Sequence, residues 1–125
     1  FVGTAFSGGY GVAGSVMMAF SSSNCGATTA KVLATNTWSH VVVAYDKSQP
    51  SATTRVKIYI NGVQMATTAC NSSWGSATLS ATTGIANIGN ASRNAYPFNG
   101  SLDDIRIYNR ALSAIEIKEL YNMGR

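Results

Sequence analysis

The sequence predicts an all-β fold, an antiparallel β-sandwich closed by a short C-terminal helix. Three observations carry this. Turn residues recur every 8–15 residues between short apolar runs, the spacing of a sandwich. Asn61-Gly62 sits between two alternating segments with matching apolar faces, as in a tight hairpin. Ser113 and Glu116 are spaced as a capping box directly after the last apolar strand-like run.

The first strand expected is 10–20, YGVAGSVMMAF, interrupted by glycines, and the second is AKVLAT, 30–35. The third, TWSHVVVAYD at 37–46, is apolar on both faces. Val41, Val43 and Tyr45 share one parity; Trp38, His40, Val42 and Ala44 share the other, so a central strand covered on both sides is expected. KSQPSATT, 47–54, is a loop, because Pro50 cannot donate to a ladder.

RVKIYINGVQMAT follows. Val56, Ile58 and Ile60 lie on one face, and Arg55, Lys57 and Tyr59 on the other. A type I′ turn needs φ > 0 at both central residues, which Asn-Gly supplies. It would pair Ile60 with Val63, Ile58 with Met65 and Val56 with Thr67, with apolar faces in register.

Residues 69–84 are weakly patterned, with a short strand near 77–80. A strand at 85–89, a loop at 90–98 and a final strand at 98–109 complete the β region. In the helix, Leu112 before the cap and Ile117 after it form a hydrophobic staple. Ile117, Leu120 and Tyr121 make the apolar stripe, and Gly124 is placed to end the helix in the left-handed region.

Composition narrows the function classes. Ala, Ser, Thr, Asn and Gly make up 66 of 125 residues, and charged residues only 11%. A surface of small polar groups suits a secreted or cell-surface protein better than a cytosolic enzyme. The net charge of +4 comes from scattered Lys and Arg, not from a basic face or run, which argues against nucleic acid. No apolar run approaches the ~18 residues of a membrane-spanning helix. The chain starts at Phe1, as expected for a mature form or a piece of a longer chain. Cys25 and Cys70, both in Ser/Thr-rich surroundings, fit one disulfide, with two free thiols as the other reading.

In order, WSHVVVAYD, VKIYINGV, ANIGN and FNGSLDDIRIYNRALSAIEI resemble the laminin-G-like domains of the concanavalin A-like lectin/glucanase superfamily. The resemblance spans Trp38 to Tyr121. It implies a jelly roll of two antiparallel sheets, one concave and one convex. Domains of that family run longer, and their first strands are not found here. The chain would then be the C-terminal part of a larger domain, or a neighbouring chain or second copy would donate strands.

Catalytic chemistry is not expected. Glycoside hydrolysis needs two carboxylates facing across a cleft. The acids are Asp46, Asp103, Asp104, Glu116 and Glu119. Asp103 and Asp104, adjacent on a strand, would point to opposite faces, and Glu116 belongs to the cap. The superfamily's glucanases carry an E-x-D-x-x-E strand that has no match here. His40, the only histidine, has no nucleophile motif to serve.

Asp103 shares parity with Ile105 and Ile107 and would turn inward, where a carboxylate needs a hydrogen bond, an ion pair or a cation. Calcium is one such partner, since it takes oxygen ligands, and many domains similar to this one hold that ion. Asp104 is expected to face solvent.

For ligand binding, Trp74 on a polar turn suits stacking on a sugar ring. Asn90, Arg93, Asn94 and Tyr96 offer amide, guanidinium and aromatic groups for hydroxyls or a carboxylate. Packing and turn formation are the competing roles. Asn71, Asn90 and Asn99 begin N-x-S sequons, relevant in a eukaryotic secretory host. The expected function is non-catalytic recognition of a glycan or an extracellular protein, as in cell adhesion. The rival reading is a building block of an adhesin, filament or surface assembly.

Overall fold

The computed structural model describes residues 2–4, 14–21, 24–28, 30, 33–69, 88–89 and 98–124. Their strands and helices run in the order β1 (Val2–Thr4), β2 (Val16–Ser21), β3 (Asn24–Thr28), β4 (Val41–Tyr45), α1 (Ala52–Arg55), β5 (Val56–Ile60), β6 (Val63–Gln64), β7 (Thr67–Ala69) and α2 (Ala114–Met123). Two antiparallel sheets form, one ordered β1-β2-β3-β7 and the other β4-β5-β6.

The hairpin between β5 and β6 has the expected register, Ile60 opposite Val63 and Tyr59 opposite Gln64. Asn61 and Gly62 have φ of 53° and 77°, the pair of positive values a type I′ turn requires. The Met65 N–H donates to the Ile58 carbonyl at 2.8 Å, carrying the pairing one step on. The expected Val56–Thr67 rung is not made. After Met65 the chain steps into the other sheet, where Thr67 pairs with Thr28.

β4 lies along β5 in a five-rung register from Val41↔Ile60 to Tyr45↔Val56. Runs of β-branched residues favour this pleated surface. Within the described sheet β5 is the middle strand and β4 a border strand, where the sequence pattern predicted β4 as central. The expectation of two covered faces holds for its core residues. Val43 and Tyr45 pack on a cluster of Val16, Met18, Val56, Ile58 and Ile60, which joins β2 of one sheet to β5 of the other. Val42 packs instead with Ala44, Tyr59, Leu112 and Ile117 beneath α2. Trp38 does not join them; it is 69% exposed.

The loop expected at 47–54 gives way from Ala52 to the helical turn α1, and side-chain bonds knit the segment together. Asp46 accepts from the Ser48 N–H and hydroxyl at 2.9 and 2.6 Å, and its own N–H donates to the Arg55 carbonyl at 2.8 Å. The Arg55 Nε donates to the Gln49 carbonyl at 2.6 Å. Pro50 sits here without a ladder to break.

Two expected strands, at 30–35 and 98–109, differ. Residues 33–35 are irregular, and the second strand instead lies earlier, at Asn24–Thr28. Its small residues lack an alternation to announce them, and the ladders to β2 and β7 define it. The strands at 77–80 and 85–87 fall outside the described residues, while Ile88 and Gly89 form a bend. The final strand at 98–109 is not formed, and those residues are exposed. Asp104 has φ of 49°, a left-handed conformation that breaks the two-residue pleat.

α2 begins as its sequence dictates. Ser113 is the N-cap, and it exchanges bonds with Glu116 in a capping box. Leu112 and Ile117 meet in the cluster under the helix, as a staple should. The helix ends differently from expectation: Gly124 has φ of −89°, and its N–H donates to the Leu120 carbonyl at 3.3 Å.

Two substitutions test this packing. Ile58 and Ile117 are fully buried on opposite sides of β5. Each Ile→Ala change should lower unfolding free energy by about 3 kcal/mol in urea titrations. Gly62→Ala should cost about 1–2 kcal/mol, because the φ of +77° disfavours a side chain and the new Cβ would lie 3.2 Å from Tyr121 Cδ1.

Candidate functional site

The C-terminal segment gathers charged and exposed apolar groups. At the start of α2, the Glu116 carboxylate accepts from the Ser113 N–H at 2.8 Å and the Ser113 hydroxyl at 2.9 Å. Arg110 adds a two-pronged ion pair, at 2.6 and 3.1 Å. Together these hold the Glu116 carboxyl down from 4.5 to about 2, the Arg110 bond contributing most.

A shallow open cleft of about 220 Å³ lies beside this network, lined by Tyr108, Arg110, Leu112, Glu116, Glu119 and Leu120 among others. Two carboxylates therefore border one cleft. They stand one turn apart on the same helix, not on opposing walls. A general acid needs a raised pKa, and Glu116 is shifted the other way.

The remaining acids are engaged locally. Asp46 is held below its ordinary value by Ser48 and Gln49. Asp103 is exposed rather than turned into the core, and its Oδ1 accepts from the Asp104 N–H at 2.8 Å. Asp104 is exposed as expected and binds the Arg106 guanidinium through both oxygens, each at 2.9 Å. The inward turn of Asp103 depended on regular pleating, which the Asp104 conformation removes. Among the described residues no group of three or more His, Cys, Asp or Glu is placed to hold a metal ion.

Around this kinked acidic pair runs a strip of uncovered apolar side chains. Leu102, Ile105, Ile107 and Tyr108 are 49%, 52%, 87% and 45% exposed. Residues 101–108 carry no ladder pairing within the described sheets.

His40 sits on the other border of α2. It is half-buried, with its backbone N–H donating to Asn61 Oδ1 at 2.9 Å and its carbonyl accepting from the Asn61 N–H at 2.9 Å. Its ring lies 6.0 Å from that of Tyr121, tilted by 32°. This ties the I′ turn to the helix, a structural task. Trp38, two residues earlier, is an exposed aromatic that parity had assigned to a covered face; its place beyond the end of β4 removes it from the pleat.

The residues predicted to bind ligand, Trp74, Asn90, Arg93, Asn94 and Tyr96, lie outside the described residues. Cys25 is in β3, Cys70 lies outside, and no disulfide is found among the described residues. The 102–108 strip was visible in sequence as alternating apolar residues, but that pattern signals a buried strand, not an open surface.

A family model described as the concanavalin A-like lectin/glucanases superfamily matches residues 3–118. No curated protein matches the chain. Among solved structures, a crystallised segment of an S-layer domain-containing protein from Clostridium thermocellum is similar, with 22% identity and a TM-score of 0.44. The match covers 87% of this chain and 52% of that one, about half its length. Among the described residues no helix is long and apolar enough to cross a membrane.

The Glu116 network gives a pH signature. Its pKa is lowered on folding, so its stabilisation is complete above about pH 4.5 and disappears as pH falls towards 2. Glu116→Gln should therefore flatten the loss of stability between those pH values, measured as thermal midpoints against pH beside the parent chain. The parent's advantage should also shrink in high salt, because the pair is exposed.

Proposed function

The chain belongs to the concanavalin A-like lectin/glucanases superfamily, and on that footing we propose that it is a non-catalytic recognition module of an exported surface protein, its β-sheets completed as a jelly roll. The partner is an extended polypeptide segment docked along residues 102–108. The observation that carries this is the row of exposed apolar side chains on a stretch with no ladder pairing in the described sheets. Added strands recognise such stretches through main-chain bonds, with side-chain pockets giving specificity. The engaged acids, with Glu116 held at about 2, support a role without bond cleavage. The small-residue, charge-poor composition supports an extracellular setting.

The same strip favours a second reading. If a neighbouring copy supplies the strand, the domain is a building block of a surface assembly. A glycan would instead engage Trp74 and the Asn90–Tyr96 segment, and calcium bound through Asp103 would belong to such a lectin.

Light scattering over a concentration series separates these. A recognition module is monomeric alone. An oligomer that dissociates in the Ile105→Lys, Ile107→Lys double variant overturns recognition in favour of assembly. Because both side chains are exposed, that variant should keep its stability within about 0.5 kcal/mol. Glycan-array binding that Trp74→Ala abolishes would overturn the polypeptide partner, and a dependence on added calcium would reinstate the metal.

A further inference from the structure

The exposed apolar strip ends at Tyr108, and Tyr108 also borders the cleft against α2. The backbone bends at Asn109 and Arg110, between the strip and the helix. A segment lying along 102–108 therefore reaches the cleft at its end. We propose that the cleft receives a lysine or arginine side chain of the polypeptide docked on the strip, an assignment that rests on that reading of the strip and specifies the partner's chemistry.

The lining is apolar below and charged at its edge. Glu116, Glu119, Leu120 and Met123 recur at three- and four-residue spacing, so one flank of α2 forms a wall. Leu112 is buried and Leu120 half-buried, while Tyr108 and Met123 leave apolar surface open. The volume of about 220 Å³ is below the ~300–1,000 Å³ of small-molecule sites, and suits one side chain better than a whole ligand.

The charges around it do not cancel. Arg110 and Glu116 neutralise each other through two bonds, and Glu116 is also spent on the cap. Glu119 is exposed, and among the described residues no ion pair engages it. Lys118 lies on the flank of α2 that meets Gly62 and does not line the cleft. One net negative charge thus stands over an apolar base. Along the strip the balance has the same sign: Arg106 offsets Asp104, and Asp103 bonds only the neighbouring N–H. An acidic side chain would be repelled here, and a purely apolar one would strip water from Glu119 without replacing it. Lysine and arginine answer both demands, because the stem covers apolar surface while the charged head stays at the wet edge. There it meets Glu119, and the Tyr108 ring offers a cation further attraction.

The test selects random twelve-residue peptides displayed on phage against the immobilised chain, then measures fluorescein-labelled copies of the selected peptides by anisotropy. The expected peptides share a lysine or arginine at a fixed distance from an apolar stretch. Replacing that basic residue with alanine should weaken binding about fivefold, as for a partly open ion pair. In the Glu119→Gln variant the same replacement should matter less than twofold, and added salt should narrow the difference in the parent chain. Glu119 is exposed, so this variant should fold as the parent does. Peptides that lose binding in the Ile105→Lys, Ile107→Lys variant but carry no shared basic residue, or are indifferent to Glu119→Gln, would overturn the cleft assignment and leave the strip reading standing. Selected peptides indifferent to the double variant, or no selected peptide at all, would overturn both.

Discussion

Burial of β5 on both faces is the constraint from which the arrangement follows. Ile58 and Tyr59 are consecutive, so they point to opposite sides of the sheet, yet they are 0% and 2% exposed. One side needs another sheet, and β2 supplies it through Val16 and Met18. The other needs a helix, and α2 supplies Ile117 and Leu120 with Leu112 at its threshold. The I′ turn connects these demands. It sets the register that places Ile58 and Tyr59, and the missing Cβ of Gly62 leaves room for Tyr121 to rest on it. His40 then locks the turn to the approach of β4 through two backbone bonds with Asn61.

The features legible in the sequence are those encoded within a few residues. Asn61-Gly62 determines its turn because few other dipeptides tolerate two positive φ values. Ser113, Glu116, Leu112 and Ile117 start α2 with bonds and contacts no more than five residues apart. β3 and β7 were not legible, since their Thr, Ala, Gly and Asn residues show no alternation and only distant partners make them strands. The step from β6 into the other sheet was hidden for a related reason: alternation runs on through Thr67 while the chain changes partner. Asp103 was misplaced by a single dihedral angle, because a left-handed Asp104 leaves no trace in a parity argument. Trp38 was misplaced because parity was carried beyond the strand that justified it. The candidate ligand residues, all between 74 and 96, depended on loop geometry, which composition does not specify.

The kink at Asp104 also bears on how the apolar strip is used. A long, flat, uncovered strand of this kind would pair with any available edge and aggregate. Here Asp104 interrupts the run, and its two-pronged bond to Arg106 spans only two residues, which stabilises the bent form locally. Pairing by an added strand along residues 102–108 is therefore broken at Asp104 into short runs. A ladder that short supplies few main-chain bonds, each of modest net value in water. Its strength must come from Ile107 and its neighbours finding matching pockets, which makes the contact selective before it is strong. A reversible, side-chain-dependent contact fits recognition of a partner more readily than permanent exchange of strands. The bend that spoils a regular final strand is, in this reading, what keeps an open edge soluble and discriminating.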